Sequence, residues 1–576
     1  MLKLAYKLRP YILHIILTIA MVFVQVMTDL ELPDYMSDII NNGIFKGDNG
    51  YILITGLKML GVACIGMAAT ILAGYLAARV AAGATRSLRN EVFEKVEHFS
   101  LNEFDKFSTA SLITRSTNDI QQMQMVIIVL LRMVVSAPIT AVGGIMKAVQ
   151  TSPEMSWILA ISIPLTLATV FSIMAMSIPK FKRVQLILDK LNLVCRENLT
   201  GIRISRAFRT EKYEEEKFAE VNGEYMRINV FLQRLMGAIN PGTILILNIT
   251  QCAIIWFGAK AVGAGTVNVG DVMAFIQYAI QVMFSFMMLS MVSIMLPRAS
   301  ASAVRIREIL DTKTSIPEPE KPESVPSEGK NTVEFRGVSF SYPGASEPVL
   351  KDISFKAKDG ETVAVIGSTG CGKTTLVNLI PRFYDVTEGE VLINGIDVRR
   401  FSQHDLHDMI GYVPQKGMLF SGTVSENLRF GKEEATDEEV KKAAEIAQAA
   451  DFISQKEEGY GFEIAQGGTN VSGGQKQRLS IARAIIKSPK IYIFDDSFSA
   501  LDYKTDVALR SALNPYTKNA ITIIVAQRIS TILHADRIIV LEDGVVAGMG
   551  RHAELMKSCQ VYSEIASSQL SKEELA

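Results

Sequence analysis

The stretch Thr362-Val-Ala-Val-Ile366, followed by Gly367-Ser368-Thr369-Gly370-Cys371-Gly372-Lys373-Thr374-Thr375, decides how the second half of this chain is read. Its first five residues predict a buried strand, and the apolar run that begins at Thr375 predicts a helix. Between them stands GxxxxGK[ST]. The glycines let backbone N–H groups wrap a phosphate chain, Lys373 reaches the β and γ oxygens, and the Thr374 hydroxyl can ligate Mg²⁺. The start of the helix adds a partial positive charge. A strand–loop–helix context around this spacing predicts nucleoside triphosphate binding.

Two further stretches depend on that loop for their meaning. Lys490-Ile-Tyr-Ile-Phe-Asp495-Asp496 reads as a buried strand ending in two carboxylates. Behind a phosphate loop, Asp495 is expected to hold the magnesium shell, and Asp496 stands where an attacking water is polarised. Val471-Ser472-Gly473-Gly474-Gln475-Lys-Gln-Arg478 leads into a helix and offers a hydroxyl and glycine amides as a second anion site. Taken alone, Ser-Gly-Gly reads better as an ordinary helix cap with a flexible lead-in.

Farther out, the composition sets bounds. The 576 residues exceed one domain, and 48% hydrophobic with 21% charged residues excludes a disordered or fibrous chain. A net charge of −1 gives no bulk basicity for nucleic acid. Cys64, Cys195, Cys252, Cys371 and Cys559 are scattered without a CxxC, which argues against a disulfide scaffold or structural zinc. Residues 1–310 hold most of the long apolar runs, and residues 331–576 read as a soluble α/β domain. Residues 311–330, rich in proline and charge, read as a linker that buries no core.

Six apolar segments reach the length of about 20 residues needed to cross a bilayer. They lie near Tyr11–Pro33, Ile52–Ala82, Met123–Val149, Met155–Ile178, Met236–Val262 and Val272–Leu296. Lys3, Lys7 and Arg9 precede the first, and no small-residue cleavage site follows it, so it reads as a retained span. The connections after spans 2 and 4 carry most of the Lys and Arg, placing both termini, those connections and the soluble domain in the cytoplasm. Both connections show helical spacing and are expected to extend the spans past the bilayer. Chain reversals are predicted near Asn102–Ala110 and Asn198–Ala207.

Within the spans, Arg132 demands a cavity, a partner or water. Asp29 and Glu31 read either as outer-interface residues or as a site for cationic substrates. Met283, Phe284, Phe286, Met287, Met288, Met291 and Met295 suit a pocket for varied apolar ligands, and equally suit packing or lipid contact. Asn240-Pro241-Gly242 is expected to break or kink span 5.

Assembled, these motifs resemble the nucleotide-binding domain of ABC transporters, and the whole chain resembles an exporter half-transporter. The resemblance implies a membrane all-α region with six transmembrane helices plus a cytoplasmic α/β P-loop NTPase domain, using ATP and Mg²⁺. It makes Gly367–Thr374 the Walker A loop, Asp495 the Walker B aspartate and Val471–Gln475 the signature. Gln415 in Tyr-Val-Pro-Gln becomes the Q-loop glutamine at the metal, and Ser499-Ala-Leu-Asp502 the D-loop. Tyr342 falls where the family stacks an aromatic ring on adenine. Ser111-Leu-Ile-Thr-Arg-Ser-Thr-Asn-Asp119 resembles the exporter pattern after span 2, and the two long connections correspond to coupling helices.

Two positions depart from the family. Its catalytic glutamate is here Asp496, and its switch histidine is here Gln527 in Ala-Gln-Arg. Asp496 is one methylene short, and misplacement of that order can cost about 10²-fold in rate. Gln527 can donate to a γ-phosphate but cannot become cationic. Since the family sandwiches ATP between one chain's Walker A and the other's signature, this pattern resembles one half of the heterodimeric bacterial multidrug exporters. The implied partners are a second half-transporter, the lipid bilayer of the cell membrane and a hydrophobic or amphipathic substrate such as a drug, lipid or peptide. A slow homodimer, an importer and a nucleotide-gated channel or regulatory subunit are the rival readings. Cys371, inside the phosphate loop near a helix N-terminus, is in a setting that tends to lower a thiol's pKa; its alkylation is expected to block ATP binding, and bound Mg-ATP to protect it.

Overall fold

The structure, a computed structural model, describes residues 2–324 and 330–570, without the side chains of residues 2–5 and of Ser290, Met291, Ser293 and Ile294. Met291 of the predicted methionine stripe therefore lies outside the described side chains. The chain divides into two compact units, Met1–Glu97 with Thr109–Thr312, and His98–Ser108 with Lys313–Ala576.

The membrane unit is helical: α1 Ile12–Asp38, α2 Asn49–Glu97, then after α3 Leu101–Phe107 come α4 Thr109–Thr114, α5 Ile120–Thr151, α6 Ser156–Phe208, α7 Glu211–Gly237, α8 Ile239–Gly263 and α9 Val269–Asp311. Among the described residues six stretches are long and apolar enough to cross a membrane, and each overlaps one predicted span. At 49 and 53 residues, α2 and α6 run to about 75–80 Å, far beyond a hydrocarbon layer of about 30 Å. Val22, Val26 and Leu30 of α1 pack with Met155, Ile158, Ile254, Phe275 and Tyr278 in the core. Gly144 on α5 permits one of these close approaches, since a Cβ there would stand 2.6 Å from Val282 Cγ2. The predicted break in span 5 occurs at Ala238, between α7 and α8. Pro241 then falls in the first turn of α8, where no intrahelical donor is missed.

The first reversal lies where the spacing predicts it, as α3 flanked by Ser108 at φ 56°. The second does not. Asn198–Ala207 is interior to α6, and the chain turns instead at Arg209, φ 55°, and Thr210. A polar residue and one glycine cost a helix about 1 kcal/mol, too little to stop it. Just before that stretch Ile187 and Val194 pack against Val221 of α7, and the helix continues past them to Phe208.

In the soluble unit the strands are β1 Thr332–Phe340, β2 Leu350–Lys358, β3 Thr362–Gly367, β4 Glu388–Ile393, β5 Ile396–Asp397, β6 Ile410–Val413, β7 Gly422–Thr423, β8 Glu463–Ile464, β9 Ile491–Asp495, β10 Ile521–Val525, β11 Arg537–Glu542 and β12 Val545–Gly550. One sheet runs β2-β1-β4-β5; the larger runs β12-β11-β3-β10-β9-β6. From β11 through β6 the larger sheet is parallel, and β12 is an antiparallel edge. Its strands are near-continuous apolar runs because both faces are covered. Their carboxyl ends lie together, which is where open α/β sheets place ligands.

The proline-rich stretch is more ordered than its composition predicts. Ile316 is buried, Gln403 N donates to Glu318 Oε1 (3.2 Å), and Glu323 N donates to Arg400 O (2.9 Å). Prolines prevent a ladder of its own, so this segment borrows partners from the soluble unit one residue at a time.

Candidate functional site

The loop leaving β3 turns into α10, Lys373–Asn378, through Gly372 at φ +99°. A Cβ there would meet Leu350 Cδ2 at 2.8 Å, so conformation and space both require glycine. Ser368, Thr369 and Gly370 are exposed, while Lys373 is buried and folded over the loop. Its Nζ donates to Gly367 O (2.8 Å) and Ser368 O (2.7 Å). The Cys371 Sγ lies 3.7 Å from the same ammonium, so among the described residues its hydrogen-bond partners all belong to its own loop and none is a carboxylate that phosphate oxygens would have to displace.

Thr374 Oγ1 donates to Asp495 Oδ1 at 3.0 Å, joining the loop to the end of β9. Burial pushes the Asp495 carboxyl up from the ordinary carboxylate value; the Thr374 hydrogen bond pulls the other way, and the Asp496 charge adds to the rise. A divalent cation beside these hard oxygen donors would relieve that penalty, so the pair fits Mg²⁺.

Asp496 follows in the left-handed region at φ +45°, a conformation aspartate tolerates better than longer side chains. Its N–H donates to Val525 O (3.0 Å), and its Oδ2 accepts from Gln527 Nε2 (2.7 Å) and Gln415 Nε2 (3.2 Å). The ends of β6, β9 and β10 thus converge on one carboxylate oxygen. Two neutral amides hold the group that would polarise water, and neither can take up a proton at neutral pH.

Tyr342 is half-buried, its hydroxyl 2.9 Å from Thr375 Oγ1 and its ring edge-on to Phe340 and Tyr384. Ser472 caps the helix Gly473–Lys487 reciprocally with Gln475: Ser472 N donates to Gln475 Oε1 (2.9 Å), and Gln475 N to Ser472 Oγ (3.3 Å). Ser472 and Gly473 are exposed, and among the described residues no hydrogen bond joins them to Gly367–Thr375. The structure therefore gathers Lys373, Thr374, Asp495, Asp496, Gln415 and Gln527 and leaves the signature apart. Cys371 is 4% exposed, its thiol packed into the apolar core beneath the loop with Lys373 Nζ 3.7 Å away, a placement that shields it from reagents.

Two supporting residues escape a reading from motifs. Gln477, 2% exposed, donates to Pro414 O (3.0 Å) and accepts from Gly417 N (3.0 Å), bracketing Gln415. Its signal is faint, a polar residue on the buried face of the helix after the signature. Gln569 accepts from Ile529 N (2.8 Å) and donates to Gln527 O (2.9 Å), gripping the backbone on both sides of Arg528. Nothing local in the sequence marks it.

The ABC transporter transmembrane region matches residues 15–286, and the ABC transporter ATP-binding domain matches residues 350–499. An uncharacterized ABC transporter ATP-binding protein of Mycobacterium tuberculosis is 40% identical over 98% of this chain and 97% of its own length. A fatty acid ABC transporter ATP-binding/permease protein of Mycobacterium bovis is 34% identical over 83% of this chain and 75% of its own. The solved structure of a bacterial Atm1-family ABC exporter with ATP bound superposes with TM-score 0.80 at 26% identity, covering 98% of this chain and 99% of that one. The domain implies ATP and typically Mg²⁺, and the six spans make this a membrane protein. Phosphate loop, paired carboxylates and six long spans in one polypeptide are thus accounted for together: the chain belongs to the ABC transporters, as an exporter-type half-transporter with its own ATP-binding domain.

Proposed function

We propose that this chain is one half of an exporter that couples ATP binding and hydrolysis to efflux of hydrophobic or amphipathic compounds, working beside a non-identical half-transporter. Residues 1–310 are its transmembrane domain in the cell membrane, 311–330 the linker and 331–576 the cytoplasmic ATP-driven domain. In this reading Lys373 and the loop amides hold the phosphates, Tyr342 meets the adenine, and Thr374, Asp495 and Gln415 hold the magnesium. Mg²⁺, when bound, neutralises charge on the β and γ oxygens.

The observation that carries the pairing is Asp496, short by one methylene and held by Gln527 and Gln415 through one oxygen. Such a site suits gripping nucleotide more than splitting it. The stretch Ser472-Gly473-Gly474-Gln475, exposed at its first two residues, is meanwhile intact and able to complete a competent Walker site on a partner. ATP must favour the closed arrangement of the two halves over the open one for transport to be driven. The fatty acid transporter among the relatives supports amphipathic cargo.

Co-expression of two differently tagged copies in the native host tests the pairing. Capture of one tag is expected to bring down a different half-transporter and little of the second tag. Copies of this chain that pair with each other and hydrolyse ATP briskly would refute the heterodimer.

A further inference from the structure

The acidic residues at the outer end of span 1 part company. Glu31 and Asp34 share Lys147, whose Nζ donates to each at 2.7 Å, and Asp34 also accepts from Tyr278 OH at 2.5 Å. Their charges are satisfied within the bundle. Asp29 has no such cation among the described residues; its side chain bonds only the neutral Gln25. It lines a cleft of about 480 Å³ between α1, α2, α5 and α9 that also contains Gln277, Gln281 and Thr140. That volume falls within the range of about 300–1,000 Å³ typical of small-molecule sites.

Depth and chemistry favour a ligand. Gln277 lies eight residues, about 12 Å, inside the start of α9 at Val269, so the cleft lies within the bundle and not at the helix tips. A carboxylate at such depth is costly without a counter-charge and marks a functional position by default. Gln281 donates Nε2 to Asp29 O (3.1 Å), and its Oε1 is buried without a partner, leaving a second unsatisfied acceptor in the same wall. Met36, Met59, Met288 and Phe284 also line it, adaptable thioethers and one ring suited to an apolar body of variable shape. Glu31, Asp34 and Lys147 sum to one negative charge, reinforcing the field of Asp29. Arg132, one turn before Ser136 on α5, is not part of the lining; its Nη1 points toward α2, 3.8 Å from where a Cβ on Gly74 would stand.

We propose that this cleft binds the positively charged head of an amphipathic substrate, with Asp29 as counter-ion and the Met36, Met59, Met288 and Phe284 wall receiving its apolar part. The proposal rests on the export reading only for the direction of movement; binding stands by itself.

The test uses the intact transporter, as it purifies with its partner, in phosphatidylcholine nanodiscs without nucleotide. Tetraphenylphosphonium and tetraphenylborate, alike in shape and opposite in charge, are titrated with empty nanodiscs subtracted. The cation is expected to bind tighter than the anion. Asp29→Asn should weaken it at least tenfold without weakening the anion, whereas Asp29→Glu retains most of the affinity. Equal or tighter binding of the anion to the unaltered protein overturns the proposal, as does unchanged cation affinity in Asp29→Asn. The comparison in the unaltered protein needs no variant to fold. ATP-driven uptake of the cation into inside-out vesicles separates the two readings: Asp29-dependent binding without uptake leaves the site standing and removes export.

Discussion

Replacing Asp496 by Glu should restore turnover at this chain's own Walker site. The substitution moves the carboxylate outward by one methylene, about 1.5 Å. If that gap accounts for about 10²-fold in rate, its closure returns about 2.7 kcal/mol of barrier. At φ +45° a longer side chain costs about 1 kcal/mol of stability more than aspartate, a cost common to ground and transition state that leaves the barrier unchanged. Part of the gain is lost again, because Gln527 and Gln415 must follow the displaced oxygen from their present 2.7 Å and 3.2 Å. The net expectation is about a tenfold gain, larger when Gln527→His is added. The assay is single-turnover phosphate release from the reconstituted assembly, with the partner's catalytic glutamate changed to glutamine so that only this site reports. No gain in Asp496→Glu contradicts the reasoning. So does loss of all steady-state ATPase activity when Asp496→Asn is placed in this chain alone.

Asp495→Asn should raise the melting temperature of the nucleotide-free domain and abolish the rise that Mg-ATP gives: burial lifts this carboxyl's pKa, so its ionised form opposes folding above the ordinary carboxylate range. A lower nucleotide-free melting temperature contradicts this. Lys373→Ala should weaken nucleotide binding here at least tenfold, read by photo-crosslinked ATP analogue, while part of the steady-state turnover survives. Ser472→Ala should cost about 1 kcal/mol of stability through the lost cap, yet reduce ATPase activity well beyond that if the signature serves a partner's site. Gln569→Ala should free the backbone around Arg528 and lower nucleotide affinity several-fold with little change in melting temperature; unchanged affinity shows the clamp to be incidental.

The loop, the paired aspartates and the six spans were legible because each rests on a local pattern whose physics is short-ranged. Gly372 must be glycine for reasons confined to its own dihedrals and one neighbour. What escaped notice depends on distant contacts. Asn198 and Gly201 look like a turn, yet α6 runs on through them after packing on α7 at Ile187 and Val194, and Arg209 adopts the left-handed turn without any residue that announces it. Cys371 reads as a reactive thiol from its place in the loop, but β3 and β11 close over it. Asp29 and Glu31 are two residues apart and indistinguishable by composition; only Lys147, 116 positions from Glu31, separates their roles.

The reversal after span 2 is tied by side chains to the segment that follows α9. His98–Ser108 clusters with the soluble unit although its neighbours on both sides belong to the membrane unit. Glu103 explains why. This buried carboxylate accepts from Ser100 N (2.9 Å), Ser100 Oγ (2.7 Å) and Ser315 N (3.2 Å). Asn102 Nδ2 adds a bond to Ser315 Oγ at 3.0 Å. Withdrawing Ser315 would leave a buried charge short of donors, a loss of about 1–3 kcal/mol or more. The reversal and the segment after α9 therefore move as one piece. In the last turns of α9 itself, Asp119 clamps Ser302 (2.8 Å) and Arg305, while Arg115 binds Glu308 at 2.7 Å. The Ser111–Asp119 pattern thus fixes the last turns of α9 within the membrane unit, and Ser315 begins only four residues past its end. Each clamp lies within its own unit: Asp119 and Arg115 tie the residues before Thr312, and Glu103 and Asn102 tie those after it.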